Sequence, residues 1–93
     1  MSTSLKRYTV SFAGRVQGVG FRYNTSAIAR RYAVSGYVRN CSDGQVELVA
    51  EGTPSELDAF LREVRDRFFN NIRDERRDVQ EVTGEFAGFD IRH

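Results

Sequence analysis

The sequence is poor in the residues that build disulfides, metal sites and most catalytic dyads. Its 93 residues contain one cysteine, Cys41, one histidine, His93, and no tryptophan. A single cysteine excludes an internal disulfide framework and a cysteine-based metal cage. We therefore predict neither a metal ion nor a cofactor, and we expect Cys41 to be a half-buried strand residue and His93 a flexible terminal one. An unpaired cysteine suits a reducing compartment, so we expect a cytoplasmic protein.

An excess of one charge and a long apolar run are also missing. Fourteen Lys and Arg oppose thirteen Asp and Glu, which gives a net charge of +1. That balance argues against nucleic-acid or membrane binding by bulk charge, so any anion recognition must be local. No run approaches a membrane span, and "MSTSLKRYTV" lacks the apolar core of a signal peptide. With 40% hydrophobic residues, we predict one soluble domain over residues 1–93.

The first half of the chain shows clear periodicity. Alternation in "RYTVSFAG" predicts a strand with Tyr8, Val10 and Phe12 on one face. Helical spacing begins at Phe21 and is predicted to end at Ser35-Gly36. A hairpin is then predicted in "GYVRNCSDGQVELVAEG", because Asp-Gly is a strong turn signal.

The second half begins with a well-marked helix. In "TPSELDAFLREVRDRF", Thr53 is the expected N-cap, Pro54 fits the first helical position, and Glu56 completes a capping box. The run Arg73–Asp78 mixes both charge signs, and we interpret it as a solvated loop. A short strand in "FAGFDIRH" ends the chain. The order β-α-β-β-α-β, with room for one more short strand, predicts a ferredoxin-like α+β sandwich with two helices on one face of an antiparallel sheet.

The glycine-rich stretch "GRVQGVGFRYN" is the candidate binding loop. It leads into a helix start, whose free N–H groups and dipole favour anions. Arg22 adds a planar fork that suits phosphate oxygens, although a cation at a helix start opposes the dipole. The spacing matches neither a Walker loop nor the dinucleotide fingerprint. From spacing alone, an anion cradle and a structural tight turn both remain open.

Two segments together carry a family resemblance. "GRVQGVGFRYNT" and "GYVRNCSDGQVELVAEG" resemble the paired motifs of the acylphosphatase family, in the same order. The resemblance implies metal-independent hydrolysis of small acyl phosphates to a carboxylate and inorganic phosphate, the latter also an inhibitor. It implies that Arg22 binds the phosphate and that Asn40 positions the attacking water. The implied cradle consists of the backbone N–H groups of Arg15, Val16, Gln17, Gly18, Val19 and Gly20.

Other readings of the same residues remain open. Gln17 and Thr25 are expected to brace the loop and the helix start. A non-catalytic phosphate-binding module would keep the cradle, but it would not need the water-positioning amide of Asn40. RNA-recognition domains share the element order, but they stack bases on central-strand aromatics. The predicted third strand, "GQVELVAEG", has no aromatic residue, so we expect no nucleic-acid partner. We also expect no membrane partner and a monomer.

Overall fold

The computed structural model describes residues 4–93. Its elements follow the predicted order, with one further strand between the second helix and the short strand predicted at the end. The elements are β1 (Lys6–Gly14), α1 (Phe21–Ala29), β2 (Ser35–Asn40), β3 (Val46–Gly52), α2 (Pro54–Arg67), β4 (Ile72–Glu81) and β5 (Phe89–Arg92).

The strands form one sheet in the order β4-β1-β3-β2-β5. Neighbouring strands are antiparallel except β2 and β5, which run parallel with Val38 opposite Ile91. The ferredoxin-like fold is therefore confirmed, and the added edge strand β5 makes the sheet mixed. This parallel pair matters for function because it brings the end of the chain beside Asn40, the last residue of β2.

The core lies between one face of the sheet and the two helices. Alternate residues of β1, β2 and β3 point into it, including the fully buried Val10, Val38 and Leu48. The helices contribute Phe21 and Phe60 to the same cluster. Each large side chain that is fully buried in this way contributes about 1.5–3 kcal/mol relative to an exposed one. The core thus fixes the start of α1, where the glycine-rich loop ends.

Both helices depart from their predicted limits in small ways. The helix α1 ends at Ala29 rather than at Ser35-Gly36, because the following N–H groups turn back onto closer carbonyls and Ser35 already begins β2. The helix α2 begins as predicted, with the Thr53 hydroxyl accepting from the Glu56 N–H at 3.3 Å. The Glu56 carboxylate, however, accepts from the Ala33 N–H at 2.8 Å, so only half of the capping box forms.

The charged run Arg73–Asp78 is part of a ten-residue strand, β4, and the prediction of a solvated loop was wrong. The strand lies at the sheet edge and pairs only with β1. An edge strand needs no second partner, and most of β4 is exposed. Charged side chains are tolerated there, and Glu75 pairs with Arg65 of α2 at 2.8 Å.

Candidate active site

The loop between β1 and α1 is held by apolar anchors and turned by glycines. The Val16 side chain is fully buried and Val19 packs against the core. Gly18 and Gly20 have φ values of 76° and 78°, in the left-handed region that favours glycine. Gly20 is the N-cap of α1, with no side-chain cap and no acidic residue in the first turn. The positive end of the helix is therefore left open to a ligand.

The N–H groups of this loop are mostly free. Within residues 4–93, those of Val16 to Gly20 donate to no backbone carbonyl. The Arg15 N–H differs, because it donates to the Asn71 oxygen at 2.9 Å, and the Asn71 amide returns a bond to the Arg15 oxygen at 3.0 Å. The Arg15 N–H is thus already hydrogen-bonded next to the start of β4. The N–H groups of the predicted cradle that remain available are those of Val16 to Gly20.

Gln17 joins this loop to the β2–β3 hairpin. Its Nε2 donates to the carbonyl oxygens of Cys41 and Gln45, each at 2.8 Å. The expected bracing by Gln17 is therefore confirmed, and it reaches the residue that follows Asn40. Thr25 is fully buried, but its hydroxyl has no hydrogen-bond partner within residues 4–93. The corresponding brace by Thr25 is not observed.

Arg22 and Asn40 line the same pocket, of about 270 Å³. The glycine loop contributes Gly18 and Gly20 to its wall. The apolar part of the lining is formed by Val16, Phe21, Tyr23 and Ile91. Residues from the β1–α1 loop, α1, β2 and β5 therefore converge on one cavity, which the sequence alone did not establish.

The Asn40 side chain presents an unused acceptor. Its Oδ1 is buried and has no hydrogen-bond partner within residues 4–93. A buried acceptor without a donor costs roughly 1–3 kcal/mol. Such an atom, in a pocket that Arg22 also lines, is a binding position for a donor, and a water molecule is the simplest one.

Arg22 is held at its tip by the end of the chain. Its Nη1 lies 3.3 Å from the Arg92 carbonyl oxygen and 3.2 Å from His93 Nδ1. His93, expected to be a flexible terminal residue, therefore belongs to the pocket wall. Alternation in "FDIRH" places His93 on the same face as Ile91, which is the signal in the sequence. This alternation places His93 at the pocket only once the pairing of β5 with β2 is known.

The pocket has a positive character. No Asp or Glu side chain is among the described residues that line it. The nearest acid along β3, Glu47, lies on the opposite face of the sheet, where Arg39 and Tyr37 contact it at 2.7 and 3.0 Å. Burial and the hydrogen bond to Glu47 raise the pKa of Tyr37. Arg22 thus has no Asp or Glu partner among the described residues of the pocket lining.

Metal ligands are sparse in the part of the chain that the structure describes. Residues 4–93 contain no group of three or more His, Cys, Asp or Glu side chains placed to hold a metal ion. The same residues include no helix that is long and apolar enough to cross a membrane.

Comparison with known families shows which family the chain belongs to. The family model described as Acylphosphatase matches residues 8–91. The chain belongs to the acylphosphatase family. Curated acylphosphatases include one from Paenarthrobacter aurescens, 39% identical over 98% of both chains, and one from Methylococcus capsulatus, 45% identical over 94% of this chain and 96% of its own. The resemblance seen in the two sequence motifs is confirmed.

Solved structures agree with this assignment. The crystal structure of acylphosphatase from Bacillus subtilis superposes with a TM-score of 0.84 at 31% identity, covering 95% of this chain and 99% of that one. The family and the fold together support acylphosphatase activity. A full-length HypF structure also superposes, with a TM-score of 0.79 at 26% identity, over all of this chain but 12% of HypF. The same fold therefore occurs inside a much larger protein.

Proposed function

We propose that this protein hydrolyses the carboxyl–phosphate bond of small acyl phosphates without a metal ion or cofactor, and that Arg22 and Asn40 carry the reaction. The observation that carries this proposal is one pocket whose lining, within residues 4–93, contains the Arg22 cation, no Asp or Glu side chain, and a buried Asn40 oxygen without a donor. The cation suits a phosphate, and the amide oxygen suits a water molecule. The products are a carboxylate and inorganic phosphate.

The phosphate group is bound by the loop and by Arg22. The N–H groups of Val16 to Gly20 and the start of α1 supply donors and a favourable dipole. The contacts of Arg22 with Arg92 and His93 are long, at 3.3 and 3.2 Å. A phosphate oxygen forms a shorter, charge-assisted bond with a guanidinium, typically about 2.7–2.9 Å. The phosphate therefore displaces these two contacts at little cost in free energy and is stabilised by the positive charge of Arg22.

The attacking water is positioned by Asn40. Its Oδ1 accepts one hydrogen of the water, and the lone pair of the water oxygen is then directed at phosphorus. An amide does not titrate in the physiological range, so Asn40 orients the water and does not deprotonate it. As the new P–O bond forms and the bond to the acyl oxygen breaks, the proton of the water passes to a phosphate oxygen or to solvent.

The leaving group explains why so little further machinery is needed. A carboxylate is a weak base and leaves without protonation, so no general acid is required. Phosphoryl transfer then depends mainly on position and on stabilisation of charge at the equatorial oxygens. Arg22 and the N–H cradle provide that stabilisation. The proposed reaction needs no nucleophilic cysteine and no metal.

The direct test is benzoyl phosphate hydrolysis by the wild type, Arg22→Ala and Asn40→Ala. Each variant should lose on the order of 10²–10³ in kcat/KM, as expected when one preorganised stabilising group is removed. Arg22→Ala should also weaken competitive inhibition by inorganic phosphate, whereas Asn40→Ala should leave that inhibition nearly unchanged. A chelator should not affect the wild-type rate.

Matched controls are available on exposed positions outside the pocket. Arg30→Ala removes an arginine just beyond the other end of α1, and Asn70→Ala removes an exposed asparagine before β4. Both should retain the wild-type rate. Phosphate binding without any hydrolysis would favour a non-catalytic phosphate-binding module. Full activity in Arg22→Ala would refute the site assignment, and strong inhibition by the chelator would refute metal independence.

A further inference from the structure

The His93 ring lies beside a side chain that offers only hydrogen-bond donors. Arg22 Nη1 lies 3.2 Å from His93 Nδ1. An arginine is always protonated in proteins and offers only donors. In a hydrogen bond between these two atoms, Nδ1 is therefore the acceptor. Protonation of Nδ1 would remove this bond and place two positive charges side by side.

Among the described residues, no Asp or Glu side chain lines the pocket beside His93 to offset such a proton. The helix α1 presents Arg22 and Tyr23 to the pocket, and β2 presents Asn40. On β5 itself, the Arg92 guanidinium is stacked over the Tyr37 ring at 4.1 Å, on the opposite face of the sheet. A bound anion would add a negative charge within reach of the His93 ring.

We propose that His93 is a second anion-binding side chain, which takes up a proton when a phosphate group occupies the pocket. This inference rests on the proposed phosphate site and adds a ligand to it. When the anion accepts the donors of Arg22, His93 Nδ1 loses its donor and becomes free to bind a proton from solvent. The resulting imidazolium then donates to the same anion that Arg22 contacts.

The distances allow both side chains to reach one ligand. The two nitrogen atoms are 3.2 Å apart, and each bonds an oxygen at about 2.8 Å. An anion between them, or two oxygens of one tetrahedral anion, satisfies both. His93 is exposed, so its ring can turn and exchange protons with solvent. Anion binding should therefore strengthen as the pH falls through the range where histidine titrates, about pH 5 to 8.

The probe for the test is inorganic sulfate, which stays dianionic throughout this range, unlike phosphate. His93 is the only histidine in the sequence, so its ring signals in a ¹H–¹³C spectrum report on one site. We expect saturating sulfate to move the midpoint of the His93 titration to higher pH. We also expect the wild type to bind sulfate roughly tenfold tighter at the low end of this pH range than at its high end. By linkage, that ratio corresponds to roughly tenfold stronger proton binding by His93 in the sulfate complex.

The matched variants separate a contact from a general charge effect. His93→Gln keeps a polar side chain that is never charged, and its sulfate affinity should show little of that pH dependence. Arg62→Gln removes one exposed positive charge on α2, away from the pocket lining, and should keep the wild-type pH dependence. Circular dichroism on each variant confirms that the fold is retained.

The outcomes distinguish this inference from the proposal beneath it. If sulfate binding requires Arg22 but leaves the His93 titration unchanged, the role of His93 is overturned while the phosphate site stands. An equal pH dependence in His93→Gln and the wild type overturns it as well. If neither sulfate nor phosphate binds at any pH, the phosphate site and the role of His93 both fail.

Discussion

Gln17 donates its side-chain amide to the Cys41 carbonyl oxygen at 2.8 Å, and Cys41 directly follows Asn40. One amide group thus joins the phosphate-side loop to the strand end that carries the water-side residue. The same nitrogen donates a second bond to the Gln45 carbonyl oxygen at 2.8 Å, so it contacts both sides of the β2–β3 turn. The two halves of the proposed site are therefore positioned by a direct contact and not only by the shared core.

The first prediction concerns Gln17→Met, which keeps a side chain of similar length but removes the donor. Both carbonyls keep a backbone donor, since Gly44 donates to Cys41 and Cys41 donates to Gln45. The free energy of unfolding should therefore fall by only about 1 kcal/mol. The loss in kcat/KM should be larger, on the order of tenfold to a hundredfold, because small misplacement of positioned groups is costly. Urea denaturation and benzoyl phosphate hydrolysis measure the two effects.

Gln80→Met is the matched control, because it makes the same replacement on the exposed edge strand β4. It should leave the rate unchanged. If Gln17→Met also keeps the wild-type rate, the contact has no positioning role and serves stability alone.

The site shows which parts of the function can be predicted from a sequence. The role of Asn40 is implied only by the resemblance of the two motifs to a known family, whereas Arg22 and the glycine loop are local features that indicate a possible anion site from their own segment. Gln17 could be expected as a brace for the same reason, but its partners could not. The place of His93 depends on a parallel pairing between β2 and β5, which joins segments far apart in the chain. No local pattern encodes that pairing.

Glu51 provides a second prediction, away from the pocket. Its carboxylate is buried, with only 4% of the residue exposed. It accepts from the Thr83 and Gly84 N–H groups, both at 2.9 Å, and from the Thr83 hydroxyl at 2.8 Å. Arg7 lies 3.5 Å away. Burial alone raises the pKa of Glu51, but the three hydrogen bonds and Arg7 outweigh it and hold the pKa below its ordinary value.

The sign of the pH effect follows from that direction. A carboxyl group whose pKa is lower in the folded state stabilises the fold fully above its unfolded pKa, about 4.3 for glutamate. This contribution is lost as the pH falls through the folded value. In Glu51→Gln the acid-induced loss of stability below about pH 5 should be shallower than in the wild type. At neutral pH the variant should lose about 2–3 kcal/mol, because an amide N–H₂ faces existing donors.

Urea titrations at several pH values measure both effects. Glu56→Gln is a useful control, because Glu56 also accepts a backbone N–H, from Ala33, but is only half-buried. Its effect at neutral pH should be smaller. An unchanged acid slope in Glu51→Gln would show that other carboxylates determine the acid sensitivity.

The strand β4 shows where reasoning from charge pattern fails. Strand propensity and charge both disfavour "RDERRD" in the centre of a sheet, and the segment is indeed not a central strand. The structure places the segment at an edge, beside β1 alone, where Thr9 contacts Gln80 at 2.7 Å. Edge position is a property of the whole topology, so a local pattern cannot reveal it.

The composition of β4 leads to the last prediction, that the protein is a monomer. If two copies paired through antiparallel β4 strands about a two-fold axis, the residue at the centre would face its own copy. Every residue from 73 to 78 is charged, so any centre in this stretch would place like charges opposite one another, which is destabilising. The other edge strand, β5, has only four residues, and short edges pair poorly.

Sedimentation equilibrium should therefore show the monomer mass from micromolar to millimolar concentration. The informative variant combines Asp74→Thr, Arg76→Val and Asp78→Thr, which neutralises alternate positions on one face of β4 and raises its strand propensity. Glu75 and Arg77 keep their contacts with α2, so the fold should survive. The mass of this variant should rise with concentration. A wild type that dimerises, or a triple variant that stays monomeric at every concentration, would show that like-charge repulsion does not protect this edge.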